Sequence, residues 1–311
     1  MNDFHGFERP LPVSDLSYRF SRGKFVVTAE LSPPVSTDPG DFVARAQALK
    51  GLATAVNVTD GAGAKAHLSS MVAAHFLLKS GIEPILQLTC RDRNRLALQG
   101  ELLGALALGI RNVLVLGGDD PKVGDQPEAK PVFDLRSKEL LATAHRMRTE
   151  HRLPTGTAIE GEVGLVLGAA DVPGDPARGW SAKPLHDKVE AGADFVQTQF
   201  CMDIDLARRY AAHLLELGIA QRLRILIGIA PIPSARSARW MRTKLLGTTI
   251  PDSIIARLDK ASDPKREGKE ICVELLHQLA AIPGIAGAHI MAPQDPSVIP
   301  EVIEASGVAR N

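Results

Sequence analysis

The stretch Phe25-Val26-Val27-Thr28-Ala29-Glu30-Leu31-Ser32-Pro33-Pro34 is a β-branched run that stops at an acid and a Ser-Pro-Pro turn. No Gly-x-Gly-x-x-Gly follows it. Those glycines let a backbone approach a dinucleotide diphosphate at a helix start, so a doubly wound nucleotide-binding sheet, the rival reading of any βα alternation, loses its main support. Outward from this stretch, short runs rich in Val, Ile, Leu and Thr recur at Ala55–Thr59, Pro84–Thr89, Asn112–Leu116, Val163–Gly168, Asp194–Gln199, Arg224–Ile229 and Ala286–Met291. Amphipathic stretches lie between them, among them Phe42–Lys50, Leu68–Lys79, Arg95–Leu108, Ser137–His151 and Leu206–Leu217, several closed by a glycine stop. Eight such runs make an α/β fold of the (βα)8 TIM-barrel type, with parallel strands ringed by helices.

The 311 residues are compatible with one barrel domain over 1–311, since barrels of this kind often use about 250 residues as a unit. Residues 1–22 read as an N-terminal extension. The interval 243–283 reads as an insertion of extra helices before the last strand, with Asp263-Pro264 starting the second. Lys plus Arg equals Asp plus Glu at 36 each, so no net field marks a nucleic-acid or membrane partner, and a small-molecule ligand fits better. The scattered aromatic residues offer no stacking platform for nucleic acid. Cys90, Cys201 and Cys272 are odd in number and in no metal-ligand spacing, which suits a reduced cytoplasmic protein without zinc or disulfides. No signal pattern opens the chain, and no apolar run approaches membrane-spanning length.

Barrel chemistry gathers where strands end, because only that rim collects residues from many strands around one pocket. The ends carry Glu30, then Thr59 and Asp60, then Gln87 and Thr89, then Asp119 and Asp120, then Gln197 and Gln199. An acid at the end of strand one needs a partner or a function. For Glu30 the functional reading is a proton donor, and the plain alternative is an ion pair with Arg91 or Arg93. Asp119 lies in Gly117-Gly118-Asp119-Asp120-Pro121, which also reads as an ordinary turn. Gln199 can donate and accept at once, as a pterin edge requires, or bond to backbone. Cys90 and His289 also stand at strand ends, but a lone cysteine or histidine there reads as packing.

Taken together, Ala29-Glu30-Leu31-Ser32-Pro33-Pro34, Val58-Thr59-Asp60-Gly61, Leu86-Gln87-Leu88-Thr89-Cys90-Arg91-Asp92-Arg93-Asn94, Gly117-Gly118-Asp119, Thr198-Gln199-Phe200 and His289-Ile290-Met291-Ala292-Pro293 resemble the methylenetetrahydrofolate reductase family. The resemblance runs from Phe25 to about Val308. It implies that Glu30 is the general acid that opens the methylene bridge, that Asp119 tunes the site's electrostatics, and that Gln199, with Gln87, contacts the folate. It further implies bound FAD, held by Thr59, Asp60, Gln87, Thr89, Arg93, Asn94, Gly117, Gly118, Asp119, Ala169 and Lys188, with NADH or NADPH as hydride donor. The expected role is methylenetetrahydrofolate reduction in one-carbon metabolism and methionine biosynthesis, with a homo-oligomer or an accessory reductase subunit as the protein partner. The departures are Asp60 where relatives have tyrosine, Gln87 where they have histidine, Gly117 where they have arginine, and Gly168-Ala169-Ala170-Asp171-Val172-Pro173 after strand five. They keep three alternatives open: direct hydride transfer without flavin, a different tetrahydropterin, and a non-catalytic folate- or partner-binding barrel.

Overall fold

The computed structural model describes residues 12–308. Eight parallel strands close into a barrel in chain order: β1 (Val26–Leu31), β2 (Ala55–Val58), β3 (Pro84–Thr89), β4 (Asn112–Leu116), β5 (Val166–Asp171), β6 (Phe195–Phe200), β7 (Arg224–Ile229) and β8 (Ile285–Ile290). β8 pairs back onto β1, with Thr28 opposite His289. Closure sets aside the doubly wound sheet, because an open sheet leaves two edge strands. The α-helices are α1 (Asp15–Ser21), α2 (Gly40–Gln47), α3 (Ser70–Lys79), α4 (Arg95–Ala107), α5 (Ser137–Glu150), α6 (Lys183–Glu190), α7 (Ile204–Glu216), α8 (Ile219–Arg222), α9 (Ala235–Lys244), α10 (Asp252–Lys260), α11 (Pro264–Ala280) and α12 (Ile299–Ser306). The interval 243–283 holds α10 and α11, and Asp263 caps α11 by accepting from the amides of Lys265 and Arg266.

Alternation along each strand sorts side chains into two cores. Outward residues such as Val27, Ala29, Val56, Leu86 and Val113 pack under the helices. Inward residues at the strand starts, among them Val26, Ala55, Ile85, Val166, Phe195 and Leu226, form a separate cluster with Leu16 and Phe20 of α1. The segment before β1 is therefore more than an extension: α1 plugs the barrel's N-terminal end. Ser14 donates to Asn112 Oδ1 at 2.8 Å, and the Glu83 carboxylate accepts from the amides of Asp15 and Leu16. Residues 1–11 of the expected extension lie outside the described residues.

The strand-five expectation needs correction. That strand runs from Val166 to Asp171, not from Val163 to Gly168, so Gly168 is interior and Asp171 stands at the rim. Gly168 reads as a stop in sequence, yet its missing side chain leaves the space that the Phe195 ring fills inside the barrel. A methyl there would come within 2.8 Å of Leu114 Cδ1 and closer still to the ring. Gly168→Ala is expected to destabilise the barrel by about 1–3 kcal/mol through overpacking, read as a lower urea midpoint with an unchanged slope. An unchanged midpoint would mean that the Phe195 ring can move aside.

Candidate functional site

At the C-terminal ends of the strands the barrel opens into a cleft of about 680 Å³. Glu30, Thr59, Asp60, Gln87, Thr89, Gly117, Gly118, Asp119, Lys188 and Gln199 all line it. Thus the folded chain gathers most of the residues singled out in the sequence at one mouth. Arg93, Asn94 and Ala169 are not in its wall.

Glu30 is the inward residue at the end of β1. Gln87 Nε2 donates to its Oε2 at 2.8 Å, and His289 Nε2 stands 3.6 Å from the same oxygen. Its other oxygen, Oε1, has no partner among the described residues. The arginine ion pair that would have made Glu30 a structural carboxylate is absent among those residues. Arg91 instead pairs with Asp92 at 2.8 Å, and Arg93 with Asp60 at 2.7 Å.

Asp60 is the centre of a buried knot. It accepts from Thr89 through both the backbone amide (2.9 Å) and the hydroxyl (2.8 Å), from both Arg93 terminal nitrogens, and from the Ser70 hydroxyl. Burial alone would raise its pKa; the Arg93 guanidinium and the Thr89 bonds outweigh burial and hold it below the usual carboxylate range. Asn94, next along, spends its carboxamide oxygen capping α4, accepting from the amides of Leu96 and Ala97 at 3.1 Å. Ala169 is buried and faces the helices. Thr59 donates to Ser32 Oγ at 3.1 Å.

Asp119 is held by more than its own turn. Its Oδ2 accepts from the Gly63 amide at 2.9 Å, and Arg91 Nη1 reaches both the Gly61 and Asp119 carbonyls, at 3.2 and 3.4 Å. The loop after β2 is thereby clasped to the loop after β4. Gly61 makes this possible with φ at +62°, because a Cβ there would collide with the Arg91 guanidinium. Gln199 sits at an irregularity between β6 and β7, where its Oε1 accepts from the Phe200 amide at 2.9 Å. Its amide nitrogen is left as the group it can offer a ligand. Lys188, on α6, donates to the Ala170 carbonyl at 2.5 Å and lies 3.8 Å from Asp171. Asp171 also accepts from the Tyr210 hydroxyl at 2.7 Å, but burial prevails and raises its pKa.

Three site residues are not found by sequence reasoning. Asp171 is hidden by the misplaced strand end. Arg91 enters there only as a partner for Glu30, although its Gly61 neighbour hints at a tight loop. His289 reads as packing; its signal is the in-out alternation of β8, which aims it into the barrel beside Glu30. Cys90, by contrast, is buried, and burial with the nearby Glu139 charge pushes its thiol up to about 11, an inert state.

The diphosphate of a flavin dinucleotide needs cations or free amides. For a flavin dinucleotide the groups that could face the diphosphate are Lys188, whose Nζ gives one of its three hydrogens to the Ala170 carbonyl, and the Gly117 and Gly118 backbone at the same mouth. Arg91, the other permanent cation in the cleft wall, is bonded within the protein, and the Gly63 amide is taken by Asp119. Asp60, Asp119 and Asp171 add negative charge to the same mouth.

Comparison with known proteins gives consistent results. The family model described as methylenetetrahydrofolate reductase matches residues 16–307. The chain is 30% identical over 220 residues to "Methylenetetrahydrofolate reductase 2" of Schizosaccharomyces pombe, covering 68% of this chain and 33% of that protein. It is 27% identical over 244 residues to "Probable methylenetetrahydrofolate reductase (NADPH)" of Caenorhabditis elegans, covering 77% of this chain and 34% of that one. The chain thus spans about a third of the length of these curated relatives. Among solved structures, an uncharacterised Clostridium thermocellum protein that binds two copies of 5-methyl-5,6,7,8-tetrahydrofolic acid shares the fold. Its TM-score is 0.66 and its identity 12%, covering 95% of this chain and 99% of that one.

Proposed function

Because the chain belongs to the methylenetetrahydrofolate reductase family, we propose that it reduces the methylene group of 5,10-methylenetetrahydrofolate to a methyl group with hydride from NADH or NADPH. The observation that carries this reading is Glu30: a carboxyl at the mouth of a closed barrel with its Oε2 bonded to Gln87 Nε2, His289 Nε2 3.6 Å away, and its Oε1 without a partner among the described residues. A carboxyl arranged so can deliver a proton from Oε1 to a ligand while Oε2 stays anchored to the barrel.

In the proposed sequence Glu30 gives that proton to N10 of the folate, and the bond between N10 and the bridging carbon breaks. The bridging carbon remains on N5 as a cationic iminium. Hydride from the reduced nicotinamide adds to it, yielding the N5-methyl product and the oxidised nicotinamide, and Glu30 regains a proton from water. Asp119, fixed by the Gly63 amide, supplies a negative charge toward which a cation can develop. The Gln199 amide nitrogen is available to a pterin edge. Such a product serves methyl transfer in one-carbon metabolism, including methionine formation.

A flavin, where bound, would relay that hydride between nicotinamide and folate, and Lys188 with the Gly117 and Gly118 backbone would face its diphosphate. The test is anaerobic mixing of the purified protein, without added flavin, with methylenetetrahydrofolate and NADH or NADPH, followed by mass-spectrometric assay of 5-methyltetrahydrofolate and of protein-bound FAD. Formation of 5-methyltetrahydrofolate is the expected result. Product that tracks bound FAD would mean that the hydride passes through flavin, product from flavin-free protein would mean that it passes directly, and no product with or without FAD would overturn the reductase reading.

A further inference from the structure

Beneath Glu30 lies a layer of polar side chains that a barrel interior does not need for packing. Thr28, Asn57, Gln197 and His289 are each at most 3% exposed. Asn57 and Gln197 pair amide to amide, with Asn57 Nδ2 donating at 2.6 Å and Gln197 Nε2 returning a bond at 3.0 Å. The second hydrogen of Gln197 Nε2 goes to Thr28 Oγ1 at 3.0 Å, and Thr28 Oγ1 lies 2.9 Å from His289 Nδ1. The chain of bonds ends at His289 Nε2, which faces Glu30.

This order of donors sets the ring. Thr28 has one hydroxyl hydrogen. Its oxygen accepts from Gln197 at 3.0 Å, and its hydrogen has two acceptors in reach, the Ala288 carbonyl at 3.5 Å and Nδ1 at 2.9 Å; the shorter contact favours Nδ1, which then accepts and leaves the ring's own hydrogen on Nε2. We propose that His289 is the positioning residue of Glu30, and that the buried Asn57–Gln197–Thr28 chain exists to hold its ring in the Nε2–H form. Gln87 then bonds to Oε2 while the His289 N–H points at it from 3.6 Å, close enough to act on the charge left once the proton has gone, and Oε1 is reserved for the proton in transit. The other ionisable groups in the cleft wall are Asp60, Arg91, Asp119, Asp171 and Lys188. Each has partners of its own, and among the described residues none bonds to Glu30 or His289.

The inference rests on the acid role of Glu30 proposed above, and its test separates the two. Thr28→Val removes the hydroxyl at constant shape, Thr28→Ser keeps it, and His289→Phe removes the N–H. In steady-state assays of methylene reduction, Thr28→Val and His289→Phe are expected to lower kcat by about 10- to 100-fold, around or below the loss expected for one preorganised donor. KM for the folate should stay within about twofold, and Thr28→Ser should keep most of the wild-type kcat. In ¹⁵N-histidine-labelled protein, with the His289 signals assigned by their loss in His289→Phe, the wild type should show the Nε2–H tautomer and Thr28→Val should not. Wild-type kcat in Thr28→Val, or a wild-type ring in the Nδ1–H form, would overturn the proposal. If the wild type itself makes no product, the reductase reading fails, while the ¹⁵N spectrum still decides whether the chain of bonds fixes the ring.

Discussion

Glu30→Gln is expected to abolish all but about 0.01–1% of methylene reduction, the 10²- to 10⁴-fold that a positioned general acid contributes, while folate binding remains within a few-fold of wild type. The substitution separates the two properties of the side chain. A glutamine oxygen can still accept from Gln87 Nε2, so the local bond at 2.8 Å survives and the rim keeps its shape. What disappears is the exchangeable proton on Oε1 and the charge left behind. Ring opening at N10 then depends on water, and the iminium forms rarely. Measuring kcat with saturating nicotinamide, beside folate affinity by equilibrium binding, distinguishes a lost proton from a lost site. A kcat within threefold of wild type would remove Glu30 from the chemistry, whereas a loss confined to affinity would make it a binding group.

The barrel and most of its rim are legible in the sequence for a simple reason. Strands buried on both faces must be apolar runs, and the residues that end them must be polar to meet the pocket. Glu30, Asp119 and Gln199 therefore stand out as rim positions from the strand pattern alone. What the pattern does not carry is what depends on closure. His289 is 261 residues from Thr28, and only the pairing of β8 with β1 turns a lone histidine into the neighbour of a carboxyl. Gly168 looks like a strand end because glycine usually weakens a strand, and the need for an absent side chain appears only once Phe195 is folded across it. The misplaced end in turn conceals Asp171.

Asp60, Thr89, Arg93 and Asn94 show a different limit. Resemblance expects them at a cofactor; in the folded chain Asp60, Thr89 and Arg93 hold one another and Asn94 caps a helix, with Asp60 and Thr89 still in the cleft wall. That exchange follows from the residue at position 60. A carboxylate there draws in Arg93 and the Thr89 donors, and the anion-binding capacity of this side of the cleft is consumed by the protein's own charge.

The same knot makes Asp60→Asn the substitution with the largest expected effect on stability. Breaking a buried ion pair by neutralising one partner costs about 3–5 kcal/mol, and here the new amide would also set N–H groups against the Thr89 and Arg93 donors. Glu101, 3.7 Å from Arg93 Nε, offers that arginine a partial substitute partner, so the lower end of the range is expected. The pH dependence has a defined sign. The folded-state pKa of Asp60 lies below its ordinary value of 3.8, so its contribution is complete above that value and is lost as pH falls through the folded pKa. Urea unfolding of wild type and variant should therefore show a constant gap between about pH 5 and 8 that narrows only below about pH 4. A gap under about 1 kcal/mol at neutral pH would mean that Arg93 finds Glu101 without loss. A gap that stays constant into acid would assign the effect to lost hydrogen-bond geometry, since only a charge can be titrated away.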